Sequence, residues 1–267
     1  MKLDNSKYYR MPLIMGPLFD RGNIPRISYP KTESLVLQYK SDPEAIYSLL
    51  PECYQPTKEP IVTVIFNYFN GLDFMAGGEY RTATVQVSAQ FKGEHDHVEG
   101  DYILVMFEND TLPIIGGRED LGVPKWYADI SPVKRLSKGH LRCEASLWGH
   151  LLFGIELEPL KLQNKVVRLV ASKKISERPW LCYKYIPALD GPPDADYPTI
   201  TKNDVKIEQM WLGELGKIFF SSPCEEDVAS VKHIIDALKT LQVHQVIQTV
   251  HICGSAFLRY DLSRRLK

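Results

Sequence analysis

The chain has 267 residues, of which 44% are hydrophobic and 10% aromatic, so it can bury a core and is not a disordered chain. Its 32 Lys and Arg residues balance 33 Asp and Glu residues without a long run of one sign, which argues against nucleic acid and anionic membranes as partners. The N-terminal residues show no secretory signal, and no stretch is apolar for long enough to span a membrane. We therefore expect a cytoplasmic protein with one domain over residues 1–267.

The cysteines are odd in number, widely spaced and without a C-x-x-C pair. This pattern argues against a disulfide framework and against a cysteine-based zinc site, and it favours buried free thiols. The residues are Cys53, Cys143, Cys182, Cys224 and Cys253.

Strand-forming residues dominate the chain, and the clearest period-2 alternation is Thr-Ala-Thr-Val-Gln-Val-Ser-Ala-Gln-Phe at Thr82–Phe91. Helical signals are fewer. In chain order the predicted elements are a strand at Ser34–Tyr39, a helix from Asp42-Pro43 to Pro51, strands at Ile61–Phe69, Thr82–Phe91 and Tyr102–Phe107, a helix at Thr111–Glu119, strands at Leu141–Leu147, Val166–Ala171, Leu181–Ile186, Val205–Met210 and Lys217–Phe220, a helix at Glu226–Leu241, and strands at Val243–Cys253 and Ala256–Tyr260.

The order of these elements indicates the fold class. Helices do not alternate regularly with strands, so a doubly wound parallel sheet is disfavoured. We expect a β-dominated α+β fold built on a curved antiparallel sheet or barrel with a few helices.

Most motifs that carry chemistry are absent from the sequence. It has no phosphate-binding G-x-x-x-x-G-K-[ST], no G-x-G-x-x-G, no G-x-S-x-G and no H-E-x-x-H. His95 and His97, in Glu94-His95-Asp96-His97, are candidate metal ligands, but a short polar cluster between strands is more typical of an exposed turn. We therefore predict no metal.

One segment has a pattern suited to chemistry. In it Gly117-Arg118-Glu119 is followed after five residues by Lys125, which lies between Pro124 and Trp126. Pro124 fixes the approach of the chain, so the lysine is presented from a defined turn. Apolar neighbours desolvate an ammonium group and lower its pKa, as a nucleophilic amine requires. The alternative is a surface lysine whose stem lies over the indole ring.

This segment resembles the active site of the acetoacetate decarboxylase family, in which Gly-Arg-Glu precedes a Pro-Lys pair whose lysine forms a Schiff base. The resemblance extends along nearly the whole chain. It includes Phe19-x-Arg21-Gly22, Gly100-Asp101-Tyr102, Ile186-Pro187 with Asp190-Gly191, Trp211-x-Gly213 and Arg259-Tyr260-Asp261-Leu262.

The resemblance implies a β-rich fold in which a cone-like barrel buries Lys125, assembled into homo-oligomers. It also implies a small-molecule oxo acid substrate and no cofactor, with reactivity that comes from desolvation or from a neighbouring cation, a known feature of this family. The implied catalytic residues are Lys125, Glu119 and Tyr80. The implied substrate-binding residues are Trp126, Arg26 and Arg118.

Three positions depart from the family pattern. The second lysine of the family is replaced by Trp126, so desolvation must activate Lys125 without an adjacent ammonium. The pocket glutamate of the family falls at Tyr80, unless a one-residue slip restores Glu79. The early pocket arginine has no clean counterpart, and Arg26 is the nearest arginine.

Two of these residues keep alternative roles. Glu119 is a candidate for proton transfer or for an ion pair with Arg118. Tyr80 is a candidate for orienting a carboxylate, or it is an ordinary strand tyrosine.

The leading function is decarboxylation of a 3-oxo acid such as acetoacetate through an imine on Lys125. An aldolase or dehydratase that joins pyruvate or another 2-oxo acid to an aldehyde uses the same imine. A non-enzymatic barrel that binds a small ligand, with Lys125 as a counter-charge, is a further alternative.

Overall fold

The computed structural model describes residues 2–267, and strands dominate it. The strands are β1 (Lys7–Tyr8), β2 (Phe19–Asp20), β3 (Ile27–Lys40), β4 (Tyr54–Pro56), β5 (Ile61–Leu72), β6 (Gly78–Lys92), β7 (His97–Glu108), β8 (Lys125–Tyr127), β9 (Asp129–Ile130), β10 (Lys134–Arg135), β11 (Leu141–Leu147), β12 (His150–Leu157), β13 (Lys161–Leu162), β14 (Trp180–Ile186), β15 (Ala195–Gly213), β16 (Gly216–Phe220) and β17 (Gln245–Arg265). The helices are α1 (Pro43–Ser48), α2 (Thr111–Gly116), α3 (Lys165–Glu177), α4 (Glu225–Val228) and α5 (Lys232–Lys239).

A ten-stranded sheet forms the body of the molecule in the order β4-β6-β5-β3-β17-β15-β14-β7-β8, with β13 paired to β15. Because β6 also pairs with β7, the sheet curves back on itself. Its pairings are antiparallel except for β7 with β14 and β7 with β8, which are parallel. A five-stranded sheet (β10-β11-β12-β16, with β9 on β11) and the β1-β2 pair complete the strands. The predicted β-dominated α+β fold with a curved sheet is confirmed.

The main core contains one face of the large sheet, the small sheet and helix α5. Strand β6 shows how the alternating sequence is used. Ala83, Val85 and Val87 face this core, whereas the alternate residues Thr82 and Thr84 face the other side of the sheet. Both sets are buried, so β6 has a buried polar face. In a sheet with one face in water, that polar face would be exposed.

Most predicted strands are confirmed, but Val166–Ala171 lies in helix α3, so the strand predicted there is wrong. Asn164 caps this helix by accepting hydrogen bonds from the amides of Val166 (2.9 Å) and Val167 (3.1 Å). Val167 also packs against the sheet. N-capping and packing thus outweigh the strand preference of a valine-rich segment.

Other elements also differ from the sequence prediction. The helix predicted at Glu226–Leu241 is two helices, α4 and α5. The strands predicted at Val243–Cys253 and Ala256–Tyr260 form one continuous strand, β17, with irregularities in register. Strand β12 was not predicted. Within residues 2–267 no helix is long and apolar enough to cross a membrane.

Candidate active site

Lys125 is the first residue of β8, and strand pairing places it beside a buried carboxylate. The parallel register sets Met106 of β7 opposite Lys125, and Glu108 lies two residues further along β7, on the same face. The Lys125 Nζ atom is 2.9 Å from Glu108 Oε1. Lys125 is 9% exposed and Glu108 is 0% exposed, so the two charges form a buried pair.

The segment before β8 holds the amine in place. Asp110 caps α2 by accepting a hydrogen bond from the Leu112 amide at 2.8 Å. The Pro113 carbonyl of the same helix accepts a hydrogen bond from Lys125 Nζ at 2.9 Å. A π-helical turn, Gly117–Leu121, follows the helix. The chain then tightens around Pro124, since the Lys125 amide donates to the Val123 carbonyl at 2.8 Å.

Two glycines allow close packing around this segment. A Cβ atom on Gly117 would lie 2.3 Å from Lys125 Cε, so the lysine side chain occupies the space that any other residue would need. Gly116 similarly admits the guanidinium of Arg10, 3.0 Å from where a Cβ would be. Arg10 also forms a largely buried ion pair with Asp120 of the π-helical turn. The glycines therefore let one lysine and one arginine pack against a helical backbone.

The buried polar face of β6 lies beside this pair. Thr82 is directly opposite Glu108 in the β6–β7 register, and Tyr80 and Thr84 flank it on the same face. Tyr80 Oη donates a hydrogen bond to Tyr29 Oη at 3.2 Å. Burial raises the pKa of Tyr29 to about 12. Burial, Tyr29 and the charge of Glu108 also raise the pKa of Tyr80 well above its usual value, so both hydroxyls stay neutral.

Glu108 is the buried group best suited to proton transfer. Burial raises its pKa, and the positive charge of Lys125 opposes that shift. Its contact with Lys125 is an ion pair and not a well-aligned hydrogen bond, and among residues 2–267 neither carboxylate oxygen has a hydrogen-bonding partner. A carboxyl group with a raised pKa beside a lysine amine can accept its proton and return it.

The other predicted site residues do not contact the Lys125 amine. Arg118 donates from Nη1 to the Lys125 carbonyl at 2.9 Å, so it contacts the backbone of β8. Glu119 is partly buried in the π-helical turn and forms no ion pair within the described part of the chain, whether with Arg118 or another base. Trp126 follows Lys125 in β8 and is 38% exposed, and Arg26 lies at the surface, 3.8 Å from Asp261.

The structure also places the two candidates for the glutamate position. The Tyr80 side chain is buried on the face that carries Glu108. The Glu79 side chain is exposed and forms an ion pair with Arg81 at 3.1 Å. The exposed cluster with His95 and His97 likewise forms a surface contact, since Asp96 accepts hydrogen bonds from Arg264.

Sequence reasoning missed Glu108 and Tyr29. Glu108 follows the apolar segment Tyr102–Phe107, where a charged residue is typical of a strand end in water. The available signal was its even spacing from Met106, which predicts that it shares a face with a buried residue. Nothing in the sequence showed which strand lies beside that face.

Comparison with known proteins supports the family resemblance. The sequence profile of the family described as acetoacetate decarboxylase matches residues 10–259. Acetoacetate decarboxylase 1 of Bradyrhizobium diazoefficiens is 29% identical over 241 residues, which cover 86% of each chain.

Solved structures show the same fold. A structure of acetoacetate decarboxylase has a TM-score of 0.76 and 21% identity, and covers 97% of this chain and 95% of its own. The enduracididine biosynthesis enzyme MppR, complexed with the condensation product of pyruvate and imidazole 4-carboxaldehyde, has a TM-score of 0.66 and 15% identity, and covers 91% of this chain and 90% of its own. With the family profile spanning most of the chain, this protein belongs to the acetoacetate decarboxylase family and is a carbon–carbon lyase.

Proposed function

We propose that this enzyme decarboxylates a 3-oxo acid such as acetoacetate through a Schiff base on Lys125, with Glu108 as the proton-transfer residue. The observation that carries the proposal is the buried contact of 2.9 Å between Lys125 Nζ and Glu108 Oε1. A carboxylate at this distance can take the ammonium proton and leave a neutral amine, which is the nucleophile that imine formation needs.

The reaction then follows from the chemistry of the imine. The amine attacks the ketone carbon to give a carbinolamine, and protonated Glu108 supports the loss of its hydroxyl as water. In the protonated imine, the bond between the carboxylate and the α-carbon breaks. Its electron pair forms the carbon–carbon double bond of the enamine, and the π pair of the C=N bond moves to the nitrogen. This releases CO2 and leaves a neutral enamine. The enamine carbon takes a proton, and water hydrolyses the imine to the methyl ketone and the free amine.

The buried polar face supplies hydrogen-bond donors for the substrate. Tyr80 and Tyr29 remain neutral, and since Tyr80 donates its one hydroxyl proton to Tyr29, the Tyr29 hydroxyl is free to donate to a carboxylate. Thr84 Oγ1 is buried and has no hydrogen-bonding partner among residues 2–267, and it lies on the same face. We assign these hydroxyls to orienting the oxo acid. Arg118 positions the lysine through its carbonyl, and Glu119 remains a candidate for proton transfer.

Borohydride reduction in the presence of acetoacetate tests the proposal. The reduced adduct is expected on the peptide that contains Lys125, and Lys125→Ala should remove it, whereas the surface control Lys173→Ala should retain it. Glu108→Gln should lower the rate of adduct formation but leave the final amount of adduct at long times almost unchanged. An adduct on another lysine, or no adduct with any small oxo acid, would contradict the assignment of Lys125.

A second candidate reaction is condensation of a 2-oxo acid such as pyruvate with an aldehyde. The Tyr29–Tyr80 hydroxyl pair favours it, since donors that stabilise a substrate carboxylate oppose its loss as CO2. The solved structure of MppR with a condensation product shows that a protein of this fold holds such a molecule. Quantifying acetone and CO2 from acetoacetate, and adducts from pyruvate plus an aldehyde, separates the two reactions. Condensation without acetone would replace the decarboxylase proposal.

A further inference from the structure

A second cluster of reactive side chains lies on the other face of the curved sheet. Glu33 of β3 is directly opposite Cys253 of β17, and His251 is two residues from Cys253, so all three share one face. His251 Nε2 is 2.8 Å from Glu33 Oε1 and 3.8 Å from Cys253 Sγ. One oxygen, one nitrogen and one sulfur atom therefore converge within 4.8 Å of one another.

Hydrogen bonds and strand register place this cluster away from Lys125. Ser34, the residue after Glu33, donates a hydrogen bond to Asn67 at 2.7 Å. Asn67 in turn donates to Thr82 at 3.1 Å, and Thr82 is opposite Glu108. Ser34 thus belongs to the face that carries the amine site. Since neighbouring strand residues point to opposite faces, Glu33 belongs to the other face.

The geometry at the histidine distinguishes metal binding from nucleophilic catalysis. In a nucleophile–His–acid triad, the histidine uses one ring nitrogen for the nucleophile and the other for the acid. Here Nε2 of His251 faces both Glu33 and Cys253, and a single nitrogen cannot relay a proton between them in that way. A cation that all three donor atoms share accounts for their convergence on one point.

The surroundings hold the cluster in place and leave it accessible. His251 is buried, and the Trp211 ring stacks on it with centroids 4.7 Å apart. Glu33 and Cys253 line a cavity of about 580 Å³. Arg135 also lines this cavity and opposes a cation, but a carboxylate and a thiolate together neutralise a divalent ion. A fourth coordination position would face the cavity.

We propose that Glu33, His251 and Cys253 form a three-ligand site for a thiophilic divalent metal ion of the Zn²⁺ type, with an open fourth position. Imidazole, thiolate and carboxylate are the protein ligands of zinc, and sites with three protein ligands keep one position for water or another molecule. The site is independent of the reaction assigned to Lys125, because it lies on the opposite face of the sheet.

Cobalt substitution in the full-length protein tests the proposal. The reduced protein is stripped with a chelator and titrated with Co²⁺ without oxygen, and the thiolate-to-cobalt charge-transfer band is recorded. We expect one equivalent of cobalt, displaced by Zn²⁺. Cys253→Ser should abolish the band, and His251→Gln should weaken binding by at least about 100-fold, since even residues that only support metal ligands cost 10- to 100-fold.

Matched controls distinguish this site from nonspecific metal binding at exposed side chains. Cys224→Ser, which removes an exposed thiol, and His97→Gln, which removes an exposed imidazole, should leave the band and the affinity unchanged. Zn²⁺ should raise the Tm of the parent protein but not of Cys253→Ser. Borohydride trapping at Lys125 should be unchanged in Cys253→Ser, which verifies its fold. No charge-transfer band, or equal cobalt binding in the parent and Cys253→Ser, would overturn the proposal.

Discussion

Replacing Lys125 with methionine should make the stability of the protein depend steeply on pH. The substitution keeps an unbranched side chain, one atom shorter, but leaves the fully buried Glu108 carboxyl without its positive partner. Burial already raises the pKa of Glu108, and Lys125 is the group that opposes this shift. Without Lys125 the pKa of Glu108 rises further, and the carboxyl is held protonated in the folded state.

The magnitude follows from linkage between proton binding and folding. A carboxyl whose folded pKa is raised stabilises the fold fully below its unfolded pKa, and that stability is lost as pH rises toward the folded pKa. Keeping the group protonated costs about 1.4 kcal/mol for each pH unit above the ordinary value of 4.5. The cost is about 3.4 kcal/mol at pH 7 and about 0.7 kcal/mol at pH 5.

Urea unfolding at the two pH values measures this difference. The reference is Lys125→Met combined with Glu108→Gln, which removes the titrating group while other carboxyls cancel. The free energy of unfolding of the single variant, relative to the double variant, should fall between pH 5 and pH 7, by at most about 2.7 kcal/mol, the value for a carboxyl that stays protonated throughout. An equal difference at both pH values would show that Glu108 is not held protonated, and would refute the electrostatic reasoning for the site.

Three further substitutions test the surroundings of the amine. Gly117→Ala should lower both the Tm and kcat, kcat by about 100-fold, because the added Cβ would lie 2.3 Å from Lys125 Cε and would displace the buried amine from Glu108. Normal activity would contradict the packing. Thr84→Val should keep or raise stability, by up to about 1 kcal/mol, while raising KM for the oxo acid; an unchanged KM would remove Thr84 from the site. Arg10→Met should lower the free energy of unfolding in urea by about 3 kcal/mol, because it leaves the Asp120 carboxylate buried without a positive partner. Adding Asp120→Asn to that variant should recover part of the loss, and a loss below about 1 kcal/mol would show that the pair is weak.

The sequence predicted the strands whose residue pattern agrees with their surroundings. Thr82–Phe91 alternates and lies in β6, and Leu141–Leu147 coincides with β11. Prediction was wrong where local preference and packing disagree. Val166–Ala171 is rich in strand formers, but the Asn164 cap and the contact of Val167 with the sheet make it helical. Such contacts are long-range and have no local signal.

From the sequence, only the part of the candidate site that lies in one continuous segment could be predicted. Lys125 and its approach through Pro124 were accessible because the segment that presents the lysine is continuous in sequence. Glu108 belongs to the preceding strand, and its contact with Lys125 depends on the parallel pairing of β7 with β8. Parallel pairing is set by the intervening α2 and the π-helical turn, whose geometry depends on buried contacts such as that of Arg10 with Gly116.

The buried polar face of β6 carries groups that reduce stability and lie on the side of the sheet that holds Lys125. In an antiparallel sheet with one face in water, alternate threonines would be solvated, and their hydroxyl groups would lose little hydration free energy on folding. Here Thr82 is satisfied by Asn67, but Thr84 and Glu108 are buried with oxygen atoms that have no hydrogen-bonding partner among the described residues. Such atoms destabilise a fold, so their presence needs an explanation other than stability. Glu108 contacts the Lys125 amine and Thr84 lies on the same face of the sheet, so the groups that weaken the fold are the ones that the proposed reaction uses.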